Sequence, residues 1–323
     1  MSAGSVIAFS GGVGGAKLAL GLSEVLPPDR LTLVVNTGDD EEFYGLHVAP
    51  DLDTVMYTLA GIVNSETGWG VAGETFRSLE MLARYGAPTW FRLGDRDLAT
   101  HILRRQRLDE GRTLSEVTEE LCQRLGVRHP VLPMSDHPVR TVLETNEGDL
   151  AFQNYFVERR CKPVVHALRF EHAASALPAP RVIEALRAAS VLVFCPSNPW
   201  LSIDPILAVP GIRDLVRSFR GKRIAVSPIV GGKALKGPAD KIMSELGFDV
   251  STLGIADYYR GLCDDLVIDE SDRADIPSIA ARGLEPRTAA TIMRTKGDKV
   301  ALAREICRIA EVVTEQVEES RMR

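Results

Sequence analysis

The chain has 323 residues, 45% of them apolar and 25% charged, with a net charge of −6. That length and composition suit a globular protein of about two domains, or one large domain with an insert, and exclude a disordered chain. The acidic balance and 6% aromatic content argue against a nucleic-acid or anionic-membrane surface, and no apolar run reaches the length of a membrane span.

Residues 5–10 form a short apolar run followed at once by Gly11-Gly12-Val13-Gly14-Gly15-Ala16-Lys17. Helical spacing over 17–25, two prolines at Pro27 and Pro28, and the β-branched run 31–36 complete a β–glycine loop–α–β opening. This is how a doubly wound parallel sheet begins. From 52 to 106 the spacing is mostly helical. Thr113 and Glu116 make a capping box for a helix ending near Gly126, and 131–133 reads as a buried strand. Alternating segments 139–144 and 151–157 flank the turn Asn146-Glu147-Gly148-Asp149, with a third strand over 164–170. Residues 135–178 therefore read as an antiparallel insert, and 1–134 with 179–323 as a Rossmann-like core. The α/β pattern resumes with a helix over 181–189, a strand over 191–195, a helix over 211–219, a strand over 224–226 and a helix over 239–246. Residues 266–268 are expected to close the sheet, and 299–318 to form a C-terminal amphipathic helix. The fold class is α/β: a doubly wound, mostly parallel sheet with a small antiparallel α+β insert.

Five separated cysteines, with no CxxC pair, predict neither disulfides nor a zinc site and suit the cytoplasm. Residues 1–10 lack the basic start and apolar stretch of a signal peptide. The six histidines show no HxH or HxxxH spacing and read as scattered residues.

Ligands of such sheets bind beyond the carboxyl ends of the strands, so the loops there carry the candidate chemistry. Glycines 11, 12, 14 and 15, with Val13, let a backbone approach a phosphate at a helix N-terminus, although a purely structural turn is the alternative. Lys17 replaces the third glycine of a dinucleotide fingerprint and no GK[ST] ending follows, so neither that fingerprint nor a Walker loop is complete. Asp39 is placed to hold a ribose or to cap a turn. Asp51 and Asp53, at a helix mouth, hold Mg²⁺, orient a hydroxyl, or serve as caps. Arg92 and Asp95 lie in a mixed-charge loop suited to clamping an anion. Ser135 and Asp136 follow the strand at 131–133, and Ser197 and Asn198 sit between two prolines. A glycine-rich basic loop over 231–238 supplies a second phosphate contact. Cys195, after a buried strand and without a local base, reads as an inert thiol.

Taken in order, Phe9-Ser10-Gly11-Gly12-Val13-Gly14, Pro50-Asp51-Leu52-Asp53-Thr54-Val55, Leu93-Gly94-Asp95-Arg96-Asp97, Leu132-Pro133-Met134-Ser135-Asp136, Pro196-Ser197-Asn198-Pro199 and Gly254-Ile255-Ala256-Asp257-Tyr258-Tyr259 are a specific set. The chain resembles the 2-phospho-L-lactate transferase family (CofD, FbiA) of coenzyme F420 biosynthesis over nearly its whole length. The resemblance implies an Mg²⁺-dependent transfer from a guanosine diphosphate-activated three-carbon acid to the ribityl hydroxyl of the deazaflavin Fo, with release of GMP. It matches Asp53 and Arg92 to Fo contacts and makes Asp51 and Asp53 the candidates for catalysis and metal. The segment 12–15, Ser197 and Asn198 become candidates for the guanosine diphosphate half, with Asp39, Asp95, Ser135 and Asp136 as further binding residues. A homodimer is expected. The acid stays open among phospholactate, phosphoenolpyruvate and phosphoglycerate, because the glycine loop and His137 depart from the archaeal pattern. The alternative is a YvcK-like nucleotide-sugar-binding regulatory protein without catalysis, which shares the glycine-rich opening.

Overall fold

The computed structural model describes residues 4–235 and 237–314. Seven strands form one parallel sheet: β1 Val6–Ser10, β2 Leu31–Val35, β3 Val131–Pro133, β4 Val191–Phe194, β5 Lys222–Val226, β6 Asp265–Asp269 and β7 Glu285–Ala289. Their spatial order is β7-β6-β5-β4-β1-β2-β3, so the chain reverses direction across the sheet between β1 and β4. That reversal opens a crevice at the carboxyl ends of these two strands.

The inner strands are buried on both faces, because successive side chains alternate sides and helices cover each side. Ile7, Phe9, Leu192, Phe194 and Leu266 pack into one core, and Val6, Ala8, Val191, Val193 and Val267 into the other. Each fully buried Leu, Ile or Phe adds about 1.5–3 kcal/mol, which fixes the strand register and thus the loop positions.

Five helices bear on the site: α1 Gly12–Val25, α2 Pro50–Leu59, α3 Arg77–Arg84, α4 Asp95–Asp109 and α5 Leu114–Arg124. The capping box at Thr113 and Glu116 opens α5 as expected. Helices α3 and α4 exchange caps. Asp95 accepts from the backbone of Arg77 and Ser78, while Glu74 accepts from the backbone of Arg96 and Asp97.

Three expectations are corrected. The sheet does not close at β6, since β7 pairs beside it in parallel. Its sequence, Glu285-Pro286-Arg287-Thr288-Ala289, is that of a half-exposed edge strand with a proline, not of a buried apolar run. The segment 151–157 is not a strand throughout. The antiparallel sheet of Arg140–Thr145, Gly148–Ala151 and Val165–Glu171 stops at Ala151, and Asn154–Glu158 makes a π-helical turn. Phe152 stacks on Phe156 at 5.5 Å and Asn154 donates to Glu158 at 3.0 Å, contacts four residues apart that only a helical turn permits. Finally, the C-terminal helix spans Lys296–Ile309. Glu311 turns left-handed at φ 57° and Val312 donates back to the Cys307 carbonyl, a stop made without glycine. Positions 315–318 of that expected helix, and Lys236 of the basic loop, lie outside the described residues.

Candidate active site

A cavity of about 760 Å³ opens at the crevice between β1 and β4. The glycine turn, the N-terminus of α2, the loop after β4 and the antiparallel insert all contribute to its walls.

The glycine turn is built for close approach. Gly12 has φ +61°, which admits glycine at least cost, and it starts a 14-residue helix whose first residues, Gly12 to Gly14, line the cavity. A Cβ on Gly14 would overlap the Pro196 carbonyl, so only glycine lets the two loops meet. Ser197 locks the contact, its hydroxyl donating to the Gly11 carbonyl at 2.8 Å and accepting from the Gly11 amide at 3.0 Å. Asn198 uses its carbonyl oxygen to cap the next turn through Trp200 and Leu201. Its buried amide nitrogen has no protein partner among the described residues, and Asn198 lines the cavity. It is a donor left for a ligand.

Below this turn lie two carboxylate clusters. In the first, Asn36 donates to Asp51 at 2.9 Å and to Asp39 at 3.3 Å. The Gly12 amide donates to the other Asp51 oxygen at 2.6 Å, so Asp51 caps α1 from the first turn of α2. Neither aspartate forms an ion pair among the described residues. Burial pushes Asp51 up to about 6, against the hydrogen bonds from Asn36 and Gly12. Burial, and then the neighbouring charges of Asp51 and Asp40, raise Asp39 well above the usual carboxylate range. The pair is a buried negative site with no ion-pair partner among the described residues.

In the second cluster Asp53 is held by both terminal nitrogens of Arg104, itself 1% exposed, with Nη1 at 3.0 Å from Oδ2. The same Nη1 lies 3.3 Å from His101 Nδ1. Arginine only donates, so Nδ1 accepts and the ring proton sits on Nε2, 3.3 Å from Asp97 Oδ1. Tyr57 donates to that oxygen at 2.8 Å. Burial works against the Asp97 charge, but contacts with His101, Tyr57 and Arg104 hold it below the ordinary range. Ligand atoms of Asp53, Asp97 and His101 lie within 4.8 Å of one another. The Arg104 guanidinium already occupies both Asp53 oxygens, so Asp53 is neutralised within the protein, while Asp97 keeps its charge.

The outer wall is aromatic and cationic. Trp69, half exposed, joins Trp90, Phe91 and Arg92, and the insert adds Phe152, Phe156 and Arg160. The Arg92 guanidinium lies over the Phe76 ring at 4.2 Å. Gln153 ties the insert to the core by donating to the Asp39 carbonyl at 2.8 Å.

Of the candidates read from sequence, Gly11, Gly12, Val13, Gly14, Asp39, Asp51, Asp53, Arg92, Ser197 and Asn198 meet in this one cavity. The structure does not bring Gly15, Asp95, Ser135 or Asp136 to its lining. Gly15 packs against the Ser10 and Ser197 hydroxyls. Asp95 caps α3, Asp136 accepts from Ser115 at the start of α5, and Ser135 donates to the Leu177 carbonyl. Asp53, expected to share a metal with Asp51, is turned to Arg104. Sequence reasoning missed Tyr57, His101, Arg104, Thr291 and Met293. The spacing of Asp97 and His101, four apart on one helix, was the available signal. Thr291 and Met293 follow β7, the strand that the apolar pattern passes over. Cys195 is fully buried with its thiol pushed up to about 12 by burial, as an inert residue should be.

Comparison with known proteins gives the family. The model of the 2-phospho-L-lactate transferase CofD family matches residues 6–306. A phosphoenolpyruvate transferase of Streptomyces griseus is 43% identical over 316 residues, covering 95% of this chain and 99% of its own. A 2-phospho-L-lactate transferase of Methanopyrus kandleri is 44% identical over 311 residues, covering 94% of this chain and 96% of its own. Among solved structures, a UPF0052-family protein from Bacillus halodurans superposes with a TM-score of 0.62 at 17% identity, covering 95% of this chain and 99% of its own, a likeness of fold alone. The chain belongs to the 2-phospho-L-lactate transferase (CofD) family.

Proposed function

We propose that this protein transfers a phospho-three-carbon-acid group, of the 2-phospholactyl or phosphoenolpyruvyl type, in coenzyme F420 biosynthesis. The donor is the guanosine diphosphate-activated acid and the acceptor is the ribityl hydroxyl of Fo. The acceptor oxygen bonds to the phosphorus that bears the acid, the bond from that phosphorus to the GMP phosphate breaks, and the hydroxyl proton leaves. The observation that carries the reading is the meeting of the α1 amides and the uncompensated Asp39–Asp51 pair in one cavity.

The α1 amides and the spare donor of Asn198 suit the diphosphate, where they offset charge on the phosphoryl oxygens. Asp51, raised to about 6, is ionised at neutral pH and accepts a hydrogen bond from the attacking hydroxyl. The aromatic and arginine wall suits a flat heterocycle, which favours an Fo contact at Arg92. Mg²⁺ fits the Asp39–Asp51 pair, two buried carboxylates without a countercharge, better than Asp53, whose oxygens Arg104 takes. When bound there the ion supplies positive charge for the phosphoryl oxygens. The Asp53–Asp97–His101 set includes a nitrogen ligand and has the Arg104 guanidinium against both Asp53 and His101, so it does not suit Mg²⁺.

Relatives bearing the two acid names are almost equally similar, at 43% and 44%, so overall likeness does not separate the acids. No described helix is long and apolar enough to cross a membrane, and the five cysteines are free, which suits a cytoplasmic enzyme. A homodimer belongs to the same reading. The test is incubation with Fo, Mg²⁺ and each activated acid (phospholactate, phosphoenolpyruvate, phosphoglycerate), following GMP. Release with one acid is expected, and no release with any would overturn the reading.

A further inference from the structure

The second carboxylate cluster has no part in the phosphoryl step described above, yet Tyr57, Asp97 and His101 all line the cavity. It is costly to build. Arg104, Asp53 and His101 are almost fully buried, and removing water from such charges is repaid only when partners are well placed. The contacts converge on Asp97 Oδ1: Arg104 holds His101, whose Nε2 lies 3.3 Å from that oxygen with no hydrogen-bond partner of its own among the described residues, and the Tyr57 hydroxyl, paired also with Thr100 at 2.7 Å, donates to it. The second Asp97 oxygen has no hydrogen bond among the described residues, although the side chain is only 15% exposed. Tyr57 lies six residues beyond Asp51 on α2, about 9 Å along the axis at 1.5 Å per residue. The cluster thus stands along the same wall as the carboxylate next to the attacking oxygen.

We infer that Asp97 and Tyr57, set by His101 and Arg104, form a polyol-reading subsite that binds the secondary hydroxyls of the acceptor's sugar-alcohol chain. This rests on the proposed transfer to Fo. A fixed carboxylate with a free oxygen is a strong acceptor for hydroxyl donors in a partly dry cavity. It draws the chain along α2 so that the terminal oxygen reaches Asp51. Asp97 and Tyr57 contact substrate in this assignment, while His101 and Arg104 are positioning residues.

The experiment measures KM and kcat for wild type, Asp97→Asn and Tyr57→Phe with two acceptors: Fo, and a deazaflavin of equal chain length bearing only the terminal hydroxyl. With Fo, Asp97→Asn should raise KM about tenfold, the loss of one charged hydrogen bond, with a smaller change in kcat. With the stripped acceptor the same substitution should change KM less than about twofold, and Tyr57→Phe should show the same pattern more weakly. An equal penalty with both acceptors, in both variants, would overturn the subsite, because a merely structural role cannot distinguish the chains. Absence of transfer by wild type to Fo would instead bring down the functional reading and the subsite with it. Intrinsic thermal stability of Tyr57→Phe, which removes one oxygen and keeps the ring, confirms that a folded protein is being assayed.

Discussion

Asp51 and Asp53 are two residues apart in the first turn of α2, yet they inhabit opposite electrostatic regimes. Asp53 faces a buried guanidinium and is neutralised within the protein. Asp51 faces an amide, a backbone N–H and another carboxylate, and its proton affinity rises. One region is finished when the chain folds. The other is completed only by a ligand. A buried charge left without a partner costs stability, and proteins keep such costs at sites where binding or catalysis offsets them.

The sharpest way to break this contrast is Asp51→Asn. It should reduce the rate of GMP release by about 10²–10⁴-fold if the carboxylate acts on the attacking hydroxyl. Near-normal turnover would make Asp51 a helix cap and no more. Arg104→Met attacks the other region. It strands Asp53 as a buried charge and should lower unfolding free energy by about 3–5 kcal/mol, read from urea unfolding. Adding Asp53→Leu should restore much of that loss, since the penalty belongs to the unpaired charge. Gly14→Ala tests the seam between the glycine turn and the loop after β4. Its methyl group meets the Pro196 carbonyl, so about 1–3 kcal/mol of stability should go, along with donor affinity.

The smallest effect carries a sign that distinguishes the regions. Asp51 has its folded pKa raised to about 6, above the ordinary 3.8, so the native state holds more protons than the unfolded chain between those values. Stability should therefore fall as pH rises from about 4 to 6. Asp51→Asn should flatten that slope, leaving the part due to the raised Asp39 carboxyl, so that the variant gains stability relative to wild type as pH rises from about 4 to 7. Melting curves across this range, without divalent cations, give the answer. An inactive but more stable variant would mark Asp51 as a functional rather than a structural carboxylate.

What the sequence disclosed follows the same division. Strands β1 to β6 were legible because each is or contains a short apolar run, and the glycine turn because glycine spacing has a backbone cause. The hairpin of Glu41–Phe43 and Leu46–Val48 escaped, since its turn sets Tyr44 as well as Gly45 at positive φ, where an Asn-Gly signal would normally stand. The loop residues of the crevice, Asp51 and Asn198 among them, could be placed from strand order. Asp97, His101 and Arg104 share one face of α4 at a readable spacing, but their pairing with Tyr57 and Asp53 of α2 could not be read, because it is a tertiary contact that no local pattern encodes. For the same reason Asp95, Ser135 and Asp136 looked like ligand residues in their loops while the fold spends them on helix starts and a backbone carbonyl.

The exchange of caps between Glu74 and Asp95 ties two otherwise loosely attached pieces into one cooperative unit. The segment bearing Trp69 and α3 buries little of itself, so it borrows its order from α4, which carries Asp97 and His101. Local opening of either helix start releases the other. Amide exchange at 77–78 and 96–97 should consequently share one opening free energy, and a ligand gripping the aromatic wall would slow exchange at the acidic wall without touching it.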